Sequence, residues 1–173
     1  SVYYQQGRYD AAIAAYQQAV ALDPKFASPH NNLGSCFMQR HTLDQASLHY
    51  RERIRLSSQD ALSARVCLAV IGCHLGQEGW KMQCQQASTV WDHAWRVGLQ
   101  SKAGLLENKA LVHLMLGETD EALKLLGQAI AVRLPGDQIE LIRYELLAEA
   151  AQPPVGVQAC IELLSEADKE QLK

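Results

Sequence analysis

The sequence predicts an all-α chain of antiparallel helix pairs arranged as repeats, and three observations carry that prediction. Residues recur at a spacing of 34: Tyr3 with Phe37, Ala12 with Ala46, Tyr16 with Tyr50 and Leu22 with Leu56. A period near 34 with alternating small and aromatic residues is the signature of helix–turn–helix units. Alanine, leucine, glutamine and glutamate are plentiful and favour helix, while the five prolines fall at expected junctions and not inside periodic segments. Glycines punctuate the same pattern: Gly7, Gly76, Gly117 and Gly136 stand where a helix is expected to stop in a conformation with φ > 0.

In chain order, the first unit supplies a short helix from Ser1 to about Gln6 and a second over 9–22. The second unit supplies 28–40 and 43–56. The third supplies 60–75 and 78–97, the fourth 102–116 and 119–133, with Thr119 as N-cap. A further helix is expected over 137–151, capped by Asp137, then a short one over 155–164 after Pro153-Pro154. Glycine or alanine at Gly34 and Ala110, and alanine at Ala12, Ala46 and Ala122, let paired helices approach closely. Tyr16, Phe37 and Tyr50 fill the space between units. The offset from Ala46 to Ala122 is two periods plus eight residues, so a divergent third unit carries an insertion, expected near Ala94 to Ser101. Its second helix bears Trp80, Cys84, Ala87, Trp91 and Trp95 as one stripe. That stripe reads either as packing where the repeat is distorted or as a secondary interface at Trp91 and Trp95.

Composition narrows function. With 16 basic and 19 acidic residues and a formal charge of −3, the chain has no basic stripe, so neither nucleic acid nor membrane is expected as a partner. Apolar runs such as 68–71 are far short of a bilayer span. No signal-peptide pattern opens the chain, and five cysteines without paired spacing favour a reducing compartment, so a cytoplasmic location is expected. Cys67, Cys73 and His74 are close in sequence, but about 600° of helix rotation separates the two thiols. His41, Asp44 and His49 straddle a turn, so no metal site is expected and no cofactor. Glu118, Asp120 and Glu121 open a helix, where carboxylates favour the positive end of the dipole; they do not read as a catalytic acid pair.

The segment from Gly7 to Pro24 reads Gly-x-Tyr-Asp-x-Ala-x-x-x-Tyr-x-x-Ala-x-x-Leu-Asp-Pro and closely resembles the tetratricopeptide-repeat signature. A second copy carries Asn32-Leu33-Gly34, Phe37, Ala46 and Tyr50; a further copy carries Ala110, Gly117, Glu121-Ala122-Leu123 and Ala129. The resemblance implies a right-handed superhelical array, a TPR-like α-solenoid. It divides into 1–26 (a partial unit), 27–60, 61–102 (divergent, with the insertion) and 103–136. Residues 137–173 form a capping helix region and tail, in which Ile139, Ile142, Leu146 and Leu147 cover the last unit or meet a second copy of the chain. Because the chain opens inside a repeat, it is expected to be a piece of a longer array or multidomain protein.

The resemblance further implies a concave groove lined by the first helix of each unit. Matching positions place Asn31, Asn32, Ser35, Met38 and Gln39 there, then Arg65 with Ala69, then Glu107, Asn108, Leu111 and Leu114. Asn32 and Asn108 fall at one equivalent position, where an asparagine either grips a peptide backbone, offering donor and acceptor together, or is merely a polar groove residue. Arrays that clamp a chaperone's C-terminal carboxylate use basic residues where this chain has Leu62 and Val66, which argues against that subtype. The function implied is a non-catalytic, protein- or peptide-binding scaffold. The alternative is a substrate-recruiting segment of a larger enzyme such as a fused transferase.

Overall fold

The computed structural model describes residues 2–98, 100–134 and 140–171, excepting the side chains of 2–6 and 171. Among the described residues every regular element is helical: α1 (Val2–Leu22), α2 (Ala27–Gln39), α3 (Leu43–Leu56), α4 (Leu62–His74), α5 (Trp80–Val97), α6 (Lys102–Met115), α7 (Thr119–Ala131), α8 (Leu141–Ala148) and α9 (Val157–Gln171). Two compact units, Ser1–Ala64 and Arg65–Lys173, divide the chain within α4.

In the first unit α2 packs between α1 and α3. Leu33, Phe37, Met38, Ala46 and Tyr50 are buried. The repeat's small-against-large logic is literal here, since a Cβ placed on Gly34 would lie 2.6 Å from the Tyr50 ring. Arg40 pairs with Asp10 between α1 and α2. Arg53 donates to the Ser57 carbonyl at 3.0 Å and the Asp60 carbonyl at 2.9 Å, satisfying main-chain acceptors beyond the end of α3.

The second unit packs α6 against α7 and α5, and α9 against α7 and α8. Trp80 closes on α4, its Cβ 3.1 Å from where a Gly72 side chain would begin. The Trp91 indole donates to the Leu105 carbonyl at 2.9 Å and ties α5 to α6.

One main-chain closure recurs at the end of the first helix of each pair. Arg40, His41 and Thr42 donate to Cys36, Met38 and Phe37. The same three bonds return 35 residues on, at Leu75, Gly76 and Gln77, and 41 residues beyond that, at Leu116, Gly117 and Glu118. One extra residue of the divergent unit therefore precedes its turn and seven follow it, in a lengthened α5 of 18 residues and its link to α6. The middle position has positive φ each time, +57° at His41, +66° at Gly76 and +86° at Gly117. Only the first of these turns puts a side chain there.

Four expectations change. Gly7 does not end a helix: α1 runs through it, and a Cβ placed there would meet nothing within 4 Å outside the helix's own backbone. A six-residue arm is too short to nucleate and bury a face as a separate helix, whereas continuing α1 costs only about 1 kcal/mol for one glycine. Thr119 is not an N-cap; Glu118 holds that position, and the Thr119 hydroxyl instead donates to the Val155 carbonyl at 2.7 Å. The N-cap that does work is Ser101, which accepts from the Gly104 amide at 3.1 Å. α8 is shorter and α9 longer than expected, while Gly136, Asp137 and Ile139 lie outside the described residues.

His30 on α2 and His49 on α3 face each other with their Nδ1 atoms 3.1 Å apart, and Phe37 stacks on His49. One imidazole donates and the other accepts, so the contact needs at least one neutral ring. Burial lowers His30 from the ordinary 6.5, Glu52 opposing and Arg55 reinforcing. Burial first and His30 second lower His49, Glu52 again opposing.

Three outcomes follow from this packing. Gly34→Ala should lower the urea midpoint, because overpacking costs about 1–3 kcal/mol and outweighs the helix gain. Gly127→Ala on open α7 surface should raise it by about 0.5–1 kcal/mol. Because both folded histidine pKa values lie below 6.5, their contribution is complete above about pH 6.5 and is lost as pH falls through the lowered values. Urea titrations between pH 8 and 5 should show that decline, and His49→Gln should flatten it.

Candidate functional site

The residues expected to line a groove separate by unit and by exposure. On α2, Asn31, Ser35 and Gln39 follow one another at four-residue spacing and are half-buried, with Asn32 exposed beside them. This is a polar strip on a helix whose opposite face carries the core. Met38 does not belong to it: the side chain is wholly buried and packs the interior of the first unit. Leu62 and Val66 are buried too, so neither offers the contact that a carboxylate clamp would require.

In the second unit, Arg65 donates to the Gln86 side chain at 2.7 Å, joining α4 to α5. Glu107 is 1% exposed, Asn108 3%, and Leu111 fully buried. These three are buried and do not line an open face. Arg143 of α8 reaches back with both terminal guanidinium nitrogens, Nη2 donating to Glu107 Oε1 at 2.5 Å and Nη1 to Asn108 Oδ1 at 2.8 Å. The Asn108 amide is fixed for that task, donating to the Gly104 carbonyl at 2.9 Å and the Gln100 side chain at 3.1 Å. With both donors committed, only its oxygen faces Arg143, so Asn108 cannot offer a donor and an acceptor together to a passing main chain.

The electrostatics of the cluster are those of a buried charge held by its partner. Burial, the largest single influence, would lower Arg143, but the Glu107 carboxylate with Cys67, Glu140 and Tyr144 together outweighs it and keeps the guanidinium charged. Burial pushes the Glu107 carboxyl up, and Arg143 opposes that rise. At the C-terminal end of α8, the His74 ring meets the Leu146 carbonyl at 2.8 Å. Sequence reasoning placed Glu107 in a groove and missed Arg143 altogether. The available signal was a pair of opposite charges on two otherwise apolar stripes, Glu107 with Leu111 and Leu114, Arg143 with Leu146 and Leu147.

The tryptophans form a second cluster on α5. Trp91 and Trp95 stack with centroids 5.0 Å apart, Lys109 lies 4.0 Å above Trp91, and Lys102 lies 5.8 Å from Trp95. Trp91 is committed to α6 through its indole hydrogen bond, while Trp95 is 39% exposed.

Chemistry finds little footing. All five cysteines are buried. Burial pushes Cys84 up to about 12, with Cys73 adding to it, and Cys160 to about 11 by burial. At neutral pH these two thiols stay protonated and unreactive. An open depression of about 490 Å³ at the α4–α5 turn contains Cys73, Gln77, Lys81 and Gln152. Burial raises the Cys73 thiol as well. Among the described residues no three histidine, cysteine or acidic side chains meet as a metal site, and no helix is long and apolar enough to cross a membrane.

Removing one partner of the buried cluster should be severe, since it strands the other charge. Arg143→Ala should cost about 3–5 kcal/mol and Asn108→Ala about 1–3 kcal/mol. In a double-mutant cycle, Glu107→Ala should cost far less once Arg143 is already alanine. Urea unfolding monitored by circular dichroism checks all three.

Family comparison agrees with the geometry at both ends of the chain. A TPR repeat model matches residues 1–40 and a tetratricopeptide repeat model matches residues 103–134. No curated protein matches the chain. The two segments include α2 and the α6–α7 pair, which share one closing hydrogen-bond register. Repeat motif, helix pairing and closure therefore coincide in the two segments, 1–40 and 103–134, that tetratricopeptide-repeat models match.

Proposed function

We propose that this chain is a non-catalytic scaffold that binds a protein or peptide along the polar strip of α2. Tetratricopeptide repeats are in general protein–protein interaction modules, which supports the class of function. The observation that carries the location is the exposure of Asn32 beside half-buried Asn31, Ser35 and Gln39, on a helix otherwise given over to the core. Amide and hydroxyl groups at that spacing suit an extended or helical segment, each hydrogen bond adding about 0.5–1.5 kcal/mol net. The reading of a non-catalytic role is supported by the burial that keeps the Cys84 and Cys160 thiols protonated and by the placing of Asp120 and Glu121 in the first turn of α7.

Panning a displayed random-peptide library on the full chain tests this. Peptides enriched on the wild type should bind an Asn31→Ala/Asn32→Ala/Gln39→Ala variant at least about ten-fold more weakly, the loss of two such hydrogen bonds. The variant should keep its helical circular dichroism. Equal binding to a folded triple variant would move the binding face away from α2.

A further inference from the structure

We propose that Glu107 and Asn108 form an arginine-recognition seat on α6, that α8 is its resident occupant, and that its external ligand is a partner helix carrying arginine with leucine-class residues three and four positions later. The proposal rests on the reading of these repeats as a binding module, but it uses residues of the second unit alone.

The seat is built before any ligand arrives. Asn108 is oriented by Gln100 and Gly104, so its oxygen stands ready beside the Glu107 carboxylate on adjacent residues of one helix. A carboxylate and an amide oxygen together receive two nitrogens of one planar guanidinium, as Arg143 shows. A lysine ammonium is a single point donor on a flexible stem and matches this fork poorly. Further along α8, Leu146 and Leu147 are fully buried, and His74 meets the Leu146 carbonyl that the short helix leaves open at its end. The second unit thus holds an arginine, two leucines and a terminal carbonyl, and these define the chemistry of what it accepts.

The resident is a replaceable one. At eight residues α8 is too short to be a stable helix by itself, so its form depends on the surface that holds it. It also fits imperfectly: among the described residues the buried Tyr144 hydroxyl has no hydrogen-bond partner, and Arg143 Nε stands 3.8 Å from the Glu140 carboxylate, beyond hydrogen-bond reach. A buried polar group left unmatched penalises the bound state, and a helix without that defect competes from a better position.

The probe is a fluorescent peptide of residues 140–150 of this chain, added to the full-length protein. Arg143→Ala vacates the seat, and by anisotropy it should bind the peptide at least about ten-fold more tightly than the wild type does. Replacing the peptide's arginine with lysine, or adding Glu107→Gln to the protein, should abolish that gain. Equal binding to the wild type and a folded Arg143→Ala protein, or indifference to lysine, overturns the proposal. Should Arg143→Ala fail to fold, amide exchange on the wild type decides: excess arginine peptide should speed exchange across α8, the lysine peptide should not, and no difference overturns the seat. A wild-type dimer that Glu107→Gln dissolves would assign the seat to a second copy and overturn the partner reading. Failure of the seat with peptide capture on α2 intact leaves the proposed function standing; the reverse result separates them equally well.

Discussion

The pairs α2–α3, α4–α5 and α6–α7 depend on one closure of the backbone, in which the residue just past the middle of the turn returns its amide to a carbonyl five positions earlier. Thr42 reaches Phe37, Gln77 reaches Gly72 and Glu118 reaches His113. Because the donor and acceptor are main-chain atoms, the closure survives almost any change of side chain, provided the middle residue can hold a positive φ. Everything that distinguishes the pairs is then a matter of what the reversed helices bring together: a tyrosine ring against a glycine in one, a tryptophan against a glycine in another. Repetition of geometry with freedom of contact lets a divergent third pair keep its place while carrying a longer α5.

The second unit shows what that freedom permits. A charged side chain on the apolar stripe of a helix is ordinarily excluded, because desolvating a carboxylate costs several kcal/mol. Glu107 is tolerated because Arg143 arrives from α8 with a fork that matches it, and Asn108 completes the fork. The pair contributes less to net stability than its contacts suggest, since an apolar pair of similar volume would serve as well. What it adds is a specific contact, Arg143 of α8 with Glu107 and Asn108 of α6.

The helix pairs were legible in the sequence because their determinants are local or strictly periodic. Gly34, Ala46 and Tyr50 declare their packing through a fixed spacing, and α3 begins and ends where its pattern does. Gly7 misled because a glycine marks a turn only when a helix stands ready to pack on the other side, information the residue itself does not carry. Asn108 misled for a related reason. Its repeat position matches that of exposed Asn32, yet its environment is set by an arginine 35 residues away, outside the repeat. Likewise, the apolar character of α8 could be read, whereas its seat on α6 is a long-range placement that no period encodes.

The distribution of tryptophan has an optical consequence. Trp80, Trp91 and Trp95 all belong to the second unit, and the first has none. Emission excited near the red edge of indole absorption therefore reports on one half of the chain and is silent about the other, whose chromophores are tyrosines. Two rings stacked at 5.0 Å should also couple as an exciton pair, giving the α5–α6 contact its own near-ultraviolet dichroic band. The two units can thus be followed separately in one unlabelled sample.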